Sequence, residues 1–192
     1  NRDLPTAQPL AVIERFAGGV IRLDSLCFTE YMVGSHDLET FLTTSVASLP
    51  TDLQRRVKDR LGSSIVRLLK AFHARGFAHR DLKAPNLLVK WEAPYDTGPS
   101  LTLIDMEGIR HVGRPSERQK MQALVRLCVS LLSCPACTRT DCLRFLKSYL
   151  TDPGRTPWNW KGHWRDLDLL SASKLEAKEK RRAWKLKRYN RE

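Results

Sequence analysis

Eight residues, His79-Arg80-Asp81-Leu82-Lys83-Ala84-Pro85-Asn86, constrain this chain more than any other feature. They set an acid, two cations and an amide at fixed spacing, and the flanking sequence gives them a defined setting. Upstream, after Pro50-Thr51-Asp52, the apolar residues Leu53, Val57, Leu61, Ile65, Leu68, Leu69 and Phe72 recur at three- and four-residue steps. That period predicts a long amphipathic helix, with Gly76 as its stop. Downstream, Leu87-Leu88-Val89 and Leu101-Thr102-Leu103-Ile104 predict two short strands around a Pro- and Gly-rich excursion over residues 92–100, and Asp105 ends the second strand. A solvated surface loop has no reason to repeat the pattern H-R-D-L-K-x-x-N in that setting.

These residue types suit phosphoryl transfer, which needs an acceptor for the attacking hydroxyl's proton, cations that bridge the phosphates, and oxygen ligands that hold those cations. Asp81 is the candidate base. Lys83, two residues on, can neutralise charge on the transferred group, Asn86 can offer a carbonyl oxygen to Mg²⁺, and Asp105 is the candidate main metal ligand.

The loop and its setting resemble the protein-kinase superfamily over roughly residues 10–150. The resemblance implies an α+β, protein-kinase-like fold, mainly the helical C-lobe with remnant N-lobe strands and hinge, and it implies ATP and Mg²⁺ as cofactors. Residues 1–33 would then be the remnant of the small lobe, residues 34–170 the helical lobe with the catalytic loop, and residues 171–192 a basic C-terminal helix. Leu10 to Phe16 and Ile21 to Met32, parted by Ala17-Gly18-Gly19, read as a β-hairpin that supplies the last small-lobe strands. By the same resemblance Glu30, Tyr31, Met32 and Val33 would be the hinge that contacts adenine.

Three departures narrow the reading. Asp105-Met106-Glu107-Gly108 stands where protein kinases carry D-F-G, with Glu107 in the place of a glycine. Only about a dozen residues separate Asp105 from the helix that begins near Glu117, and they contain no A-P-E, which leaves little room for a peptide-docking segment. Before Leu10 there is neither a G-x-G-x-x-G loop nor a V-A-I-K-type lysine, and the first residue is not Met, so the expectation is a piece of a longer protein. The short segment, the compact frame and the basic, Trp-bearing tail resemble the bacterial lipopolysaccharide-core sugar kinases, which phosphorylate Kdo or heptose hydroxyls at the cytoplasmic face of the inner membrane. That resemblance implies a lipopolysaccharide or other glycolipid acceptor. Aminoglycoside-type and atypical serine/threonine protein kinases remain alternatives, as does a catalytically silent pseudokinase that binds without turnover.

Composition fits this picture. Across 192 residues, Lys and Arg outnumber Asp and Glu by 33 to 21, and the net charge of +12 favours phosphorylated, lipid or nucleic-acid partners. Nine of the basic residues, against three acidic ones, lie from Lys174 onward, where Trp184 and Leu186 could insert into an anionic membrane surface. Nucleic acid is the less favoured partner for this segment, and a solvated or packed helix is the plainer alternative. Trp158, Trp160 and Trp164 could stack on sugars, although core packing is the simpler role. No stretch has the length and apolarity of a membrane helix, so a soluble, cytoplasmic protein, peripheral to the inner face of the inner membrane, is expected.

The remaining segments read as helical. A short helix around Leu38 to Thr43 has Asp37 as its N-cap, a second apolar stripe covers Glu117 to Leu132, and Asp141 would cap a third helix through Leu150. Cys134-Pro135-Ala136-Cys137, with Cys142 close by, has the spacing of half a zinc site or of a redox pair, but no second pair completes it. Reduced thiols in a helix-connecting turn are expected, in a reducing compartment.

Overall fold

The computed structural model describes residues 4–132, 134–151 and 160–189. A hairpin comes first, β1 (Pro9–Ala17) antiparallel to β2 (Ile21–Thr29), turned by Gly18 and Gly19 at φ of 58° and 74°. Two successive positive φ values are what a tight hairpin turn needs and what glycine supplies without strain. Every residue of both strands is exposed, including Val12, Ile13, Leu23 and Leu26, so the hairpin stands clear of the core built by the other described residues.

The core belongs to the helices and to a small sheet beneath them. β3 (His36–Asp37) leads into α1 (Leu38–Thr40) and a wider helical turn, Phe41–Val46. Asp37 is the N-cap as expected: its Oδ1 accepts from the amides of Glu39 and Thr40 at 3.1 Å each. α2 (Thr51–Ala74) buries Val57, Leu61, Ile65, Leu68, Leu69 and Phe72 and ends before Gly76, whose φ of 83° breaks the helical path. Phe41 stacks on Trp91 and meets Tyr95 edge-on, which seals the far end of this core.

From α2 the chain passes through β4 (Phe77–His79), the loop 80–83 and the tight turn Ala84–Asn86 into β5 (Leu87–Lys90), then β6 (Ser100–Leu103). β3, β5 and β6 form one antiparallel sheet in that order, and Thr6 joins the free side of β6 in a parallel bridge. After Asp105 a second tight turn, Met106–Gly108, leads to β7 (Ile109–His111), which pairs antiparallel with β4. The stretch before the loop and the stretch after Asp105 are thereby bound to each other, residue for residue, His79 opposite Ile109.

Three helices complete the body. α3 (Glu117–Leu131) opens on a capping box formed by Ser116 and Gln119. α4 (Arg139–Leu150) corrects one expectation, because Thr138, not Asp141, is its N-cap. Asp141 is the reciprocal partner three residues on: its carboxylate accepts from the Thr138 amide at 2.9 Å and its own amide donates back to Thr138 Oγ1 at 3.2 Å. A carboxylate in the first turn satisfies the same open amides from inside the helix, so it gives the same sequence signal. The same carboxylate meets Lys58 of α2 at 2.8 Å in a largely buried pair. α5 (Trp160–Tyr189) is one continuous helix that packs on α3 and α4 and runs across residue 171, where the sequence shifts from mixed to basic.

The tryptophans divide. Trp160 and Trp164 pack against the core, the first under Lys147 at 4.0 Å and the second beside Arg139 at 5.6 Å, so packing rather than an open stacking platform is their structural role. Trp158 lies outside the described residues. The five cysteines are free thiols, with Cys137 Sγ 3.9 Å from Cys142 Sγ. No group of three or more His, Cys, Asp or Glu side chains among the described residues is arranged to hold a metal ion.

Candidate active site

The loop after β4 is held from three sides. The Arg80 amide donates to the Gly108 carbonyl at 2.8 Å, the Asp81 amide donates to His79 Nδ1 at 3.2 Å, and the Ala84 amide donates to Ser130 Oγ at 2.8 Å. Ser130 in turn donates to the Leu127 carbonyl at 2.7 Å, which anchors the loop to the interior face of α3. Leu82 and Ala84 are fully buried, so alternate loop residues face the core while Arg80 and Asp81 face solvent. Sequence reasoning had no means of finding Ser130, which sits unremarked in the apolar stripe of its helix.

His79 has a structural place beneath the loop. Its side chain is buried, and burial lowers the imidazole's proton affinity below the usual histidine range, opposed by the nearby Asp105 and Asp81 charges. With Nδ1 accepting from the Asp81 amide, the ring proton sits on Nε2, a buried atom with no partner among the described residues. Gly108 lies directly against this ring. A Cβ on Gly108 would come within 2.6 Å of His79 Cε1, so only glycine lets β7 approach β4 this closely.

Four of the expected site residues converge. Asn86, buried at 5% exposure, donates from Nδ2 both to the Asp81 carbonyl at 3.0 Å and to Asp105 Oδ2 at 2.9 Å. The Asn86 carbonyl accepts from the Ile104 amide at 3.0 Å, tying the turn that carries Asn86 to the strand end that carries Asp105. Lys83 Nζ lies 2.6 Å from Asp81 Oδ2, and this hydrogen bond raises the ammonium's pKa, so Lys83 stays charged beside a half-exposed carboxylate. Asp105 adopts φ 62° and ψ 63°, a left-handed conformation uncommon outside glycine, and the turn it enters points its carboxylate back toward Asn86.

The donor chemistry fits a hard divalent cation. No donor among the described residues reaches Asn86 Oδ1 or Asp105 Oδ1, leaving an amide oxygen and a carboxylate oxygen open on two residues already joined by a hydrogen bond. Mg²⁺ in phosphoryl-transfer sites is held by one or two such side chains together with phosphate oxygens and water, so two protein donors suffice.

The expected hinge lies apart from this cluster. Glu30, Tyr31, Met32 and Val33 follow β2, with Tyr31 87% and Val33 70% exposed. Glu30 is tied to Gln8 by a pair of bonds: its amide donates to the Gln8 carbonyl at 2.9 Å and its Oε1 accepts from the Gln8 amide at 2.8 Å. The segment reaches the site's sheet through β3, which pairs with β5 just after Asn86, and through Gln8, whose neighbour Thr6 bridges to β6.

An α+β body with a loop-and-aspartate site on the rim of paired strands is the architecture of a protein-kinase-like fold. A family model described as the lipopolysaccharide kinase (Kdo/WaaP) family matches residues 1–149. The chain belongs to that family, a family of kinases. No curated protein matches it. Among solved structures it is similar to one described as WaaP in complex with acyl carrier protein, with a TM-score of 0.68 and 25% identity over 92% of this chain and 70% of that one. The protein partner in that complex has no counterpart among the partners expected from the sequence.

Proposed function

We propose that this chain transfers the γ-phosphoryl group of ATP to a sugar hydroxyl of the lipopolysaccharide inner core. The observation that carries the reading is the junction made by Asn86, whose one amide group is bonded to the backbone of Asp81 and to the carboxylate of Asp105. It holds the candidate base and the candidate metal ligand in one constellation, as an in-line transfer requires.

In this reading Asp81 accepts the proton of the acceptor hydroxyl as its oxygen forms a bond to the γ-phosphorus, and the bond from that phosphorus to the bridging oxygen breaks to release ADP. Lys83, kept charged by Asp81, offsets negative charge on the transferred group. Asn86 and Asp105 hold Mg²⁺, which when bound neutralises charge on the phosphates. Glu30, Tyr31, Met32 and Val33 contact the adenine, and residues 1–33 serve as the remnant of a small lobe over a body formed by residues 34–170.

The acceptor is a glycolipid, and the site works at the cytoplasmic face of the inner membrane. Support comes from the family and from the C-terminal part of α5, where Lys180, Arg181, Arg182, Trp184 and Leu186 are all exposed around the helix. No helix among the described residues is long and apolar enough to cross a membrane. The reading is tested by incubating the protein with γ-labelled ATP, Mg²⁺ and purified inner-core lipopolysaccharide. Label should enter the lipopolysaccharide with wild type and fall by at least about a hundredfold with Asp81→Asn. Label appearing on a protein substrate instead would move the assignment to a protein kinase.

A further inference from the structure

Two helices bring to the neighbourhood of the catalytic loop cations that form no ion pair among the described residues. On α3, Arg126 stands one turn before Ser130, the residue whose hydroxyl takes the Ala84 amide, so Arg126 and Ser130 share the face turned toward the loop. On α5, Trp160, Trp164, Leu167, Ser171 and Lys174 recur at steps of four and three, one stripe laid against α3 and α4. The stripe is apolar at first and turns polar as it nears the loop. Ser171 is only 7% exposed, and its hydroxyl has no partner among the described residues.

Lys174 is half-buried and lies within electrostatic reach of both Arg126 and Asp81. Burial lowers its ammonium below the usual lysine range, the Arg126 charge adds to that, and the Asp81 charge opposes it. Neither Arg126 nor Lys174 forms an ion pair with a carboxylate among the described residues, in contrast to Lys83, which Asp81 already holds. Two like charges brought together with water partly excluded are unfavourable unless an anion completes them.

We infer that Arg126 and Lys174 form a seat for an anionic substituent of the acceptor, a phosphate or a carboxylate on the sugar that presents its hydroxyl to Asp81, with Ser171 as an added donor. This rests on the sugar-kinase reading and deepens it. An acceptor that already carries negative charge is repelled by the triphosphate as it approaches, and cations within reach of Asp81 offset that repulsion. The seat therefore selects charged acceptors and orients the hydroxyl, whereas Lys83 and the metal act on the phosphoryl group.

The test measures label transfer from ATP by the whole chain to three acceptors: purified inner-core lipopolysaccharide, the same material stripped of phosphate with hydrofluoric acid, and the same material with its carboxyls reduced. Lys174→Ala and Arg126→Ala should each raise the acceptor KM about tenfold, with kcat and the KM for ATP little changed, and Lys174→Arg should restore it. Lys174→Gln, which keeps most of the stem's packing, should act as the alanine variant does. The modified acceptor on which wild type itself shows the raised KM, and on which Lys174→Ala costs nothing more, identifies the anion. Unchanged acceptor KM in the variants, a rise in the ATP KM instead, or equal KM values for all three acceptors with wild type would overturn the seat alone. A wild-type protein that labels none of them would overturn the seat and the sugar-kinase reading together.

Discussion

Asn86 Nδ2 lies 2.9 Å from Asp105 Oδ2, joining two residues nineteen positions apart in the chain across the mouth of the β5–β6 hairpin. The same nitrogen donates to the Asp81 carbonyl, so the position of each acid depends on one buried amide. Asn86→Ala should therefore move both acids. A displacement on the order of 1 Å costs about 10²-fold in rate, and kcat should fall by at least that much while the leftover buried acceptor costs about 1–3 kcal/mol of stability. Phosphoryl transfer and urea unfolding measured on the same variant check both parts.

Gly108→Ala probes the packing beneath the loop. Its new methyl would collide with the His79 ring, which is itself buried and bonded to the Asp81 amide, so the ring or β7 must move. The expected cost is about 1–3 kcal/mol, typical of overpacking, with a parallel loss of turnover because the displaced ring carries Asp81 with it. Truncation of His79 to Ala in the Gly108→Ala background should recover part of the stability, which a denaturation midpoint would show.

His73 predicts the acid limb of stability. Burial holds its imidazole down at about 4, against 6.5 in water, with the Lys120 charge adding to the effect, and Nδ1 sits 2.8 Å from the Tyr149 hydroxyl. A histidine with a depressed native pKa leaves the unfolded state binding more protons between pH 6.5 and 4, so stability is full above 6.5 and is lost as pH falls. The loss from this group between pH 7 and 5 should be about 2 kcal/mol, with buried His79 acting in the same direction. Urea midpoints at the two pH values should differ less in His73→Gln than in wild type.

Asp141 joins a helix start to a partly buried ion pair. Burial works to raise its pKa, but the Lys58 ammonium and the two Thr138 bonds outweigh it and leave the carboxyl below its ordinary value. Asp141→Ala removes the cap partner and strands Lys58, whose side chain is only 15% exposed, at a cost of about 3 kcal/mol. Thermal unfolding would show whether Lys58→Met in the same background recovers part of that loss, as removal of the stranded charge predicts.

The basic stretch of α5 gives a salt-dependent prediction. Lys180→Ala, Arg181→Ala and Arg182→Ala together should weaken binding to vesicles rich in anionic lipid, by about 1 kcal/mol per charge at low ionic strength and by much less in high salt. Vesicle co-sedimentation at two salt concentrations measures this. Equal binding of the triple variant and wild type at low salt would show that these charges do not hold the protein to an anionic membrane.

Legibility followed the range of the interactions. The α2 period, the Gly76 stop, the Asp37 cap and the order of loop, hairpin and Asp105 were readable because each depends on neighbours within a few residues. The Thr138–Asp141 pair was misassigned because both members of a capping box produce the same local pattern. What could not be read was brought in from far along the chain: Ser130 under Ala84, Gly108 on His79, and the Lys174 charge within electrostatic reach of Asp81. Nothing local marks a serine in an apolar stripe as the anchor of a loop 46 residues away. The hairpin was legible as strands, yet its full exposure on both faces was not, since alternation says nothing of what covers a face.

Phosphoryl transfer to a glycolipid through Asp105 and Asn86 is tested most directly by comparing wild type with Asp105→Ala. The whole protein is given γ-labelled ATP with Mg²⁺ and either purified lipopolysaccharide or a generic protein substrate. Label should enter the lipopolysaccharide, be absent from the protein substrate, and be lost with Asp105→Ala. Transfer that survives Asp105→Ala, or that goes to neither acceptor with wild type, would contradict this reading.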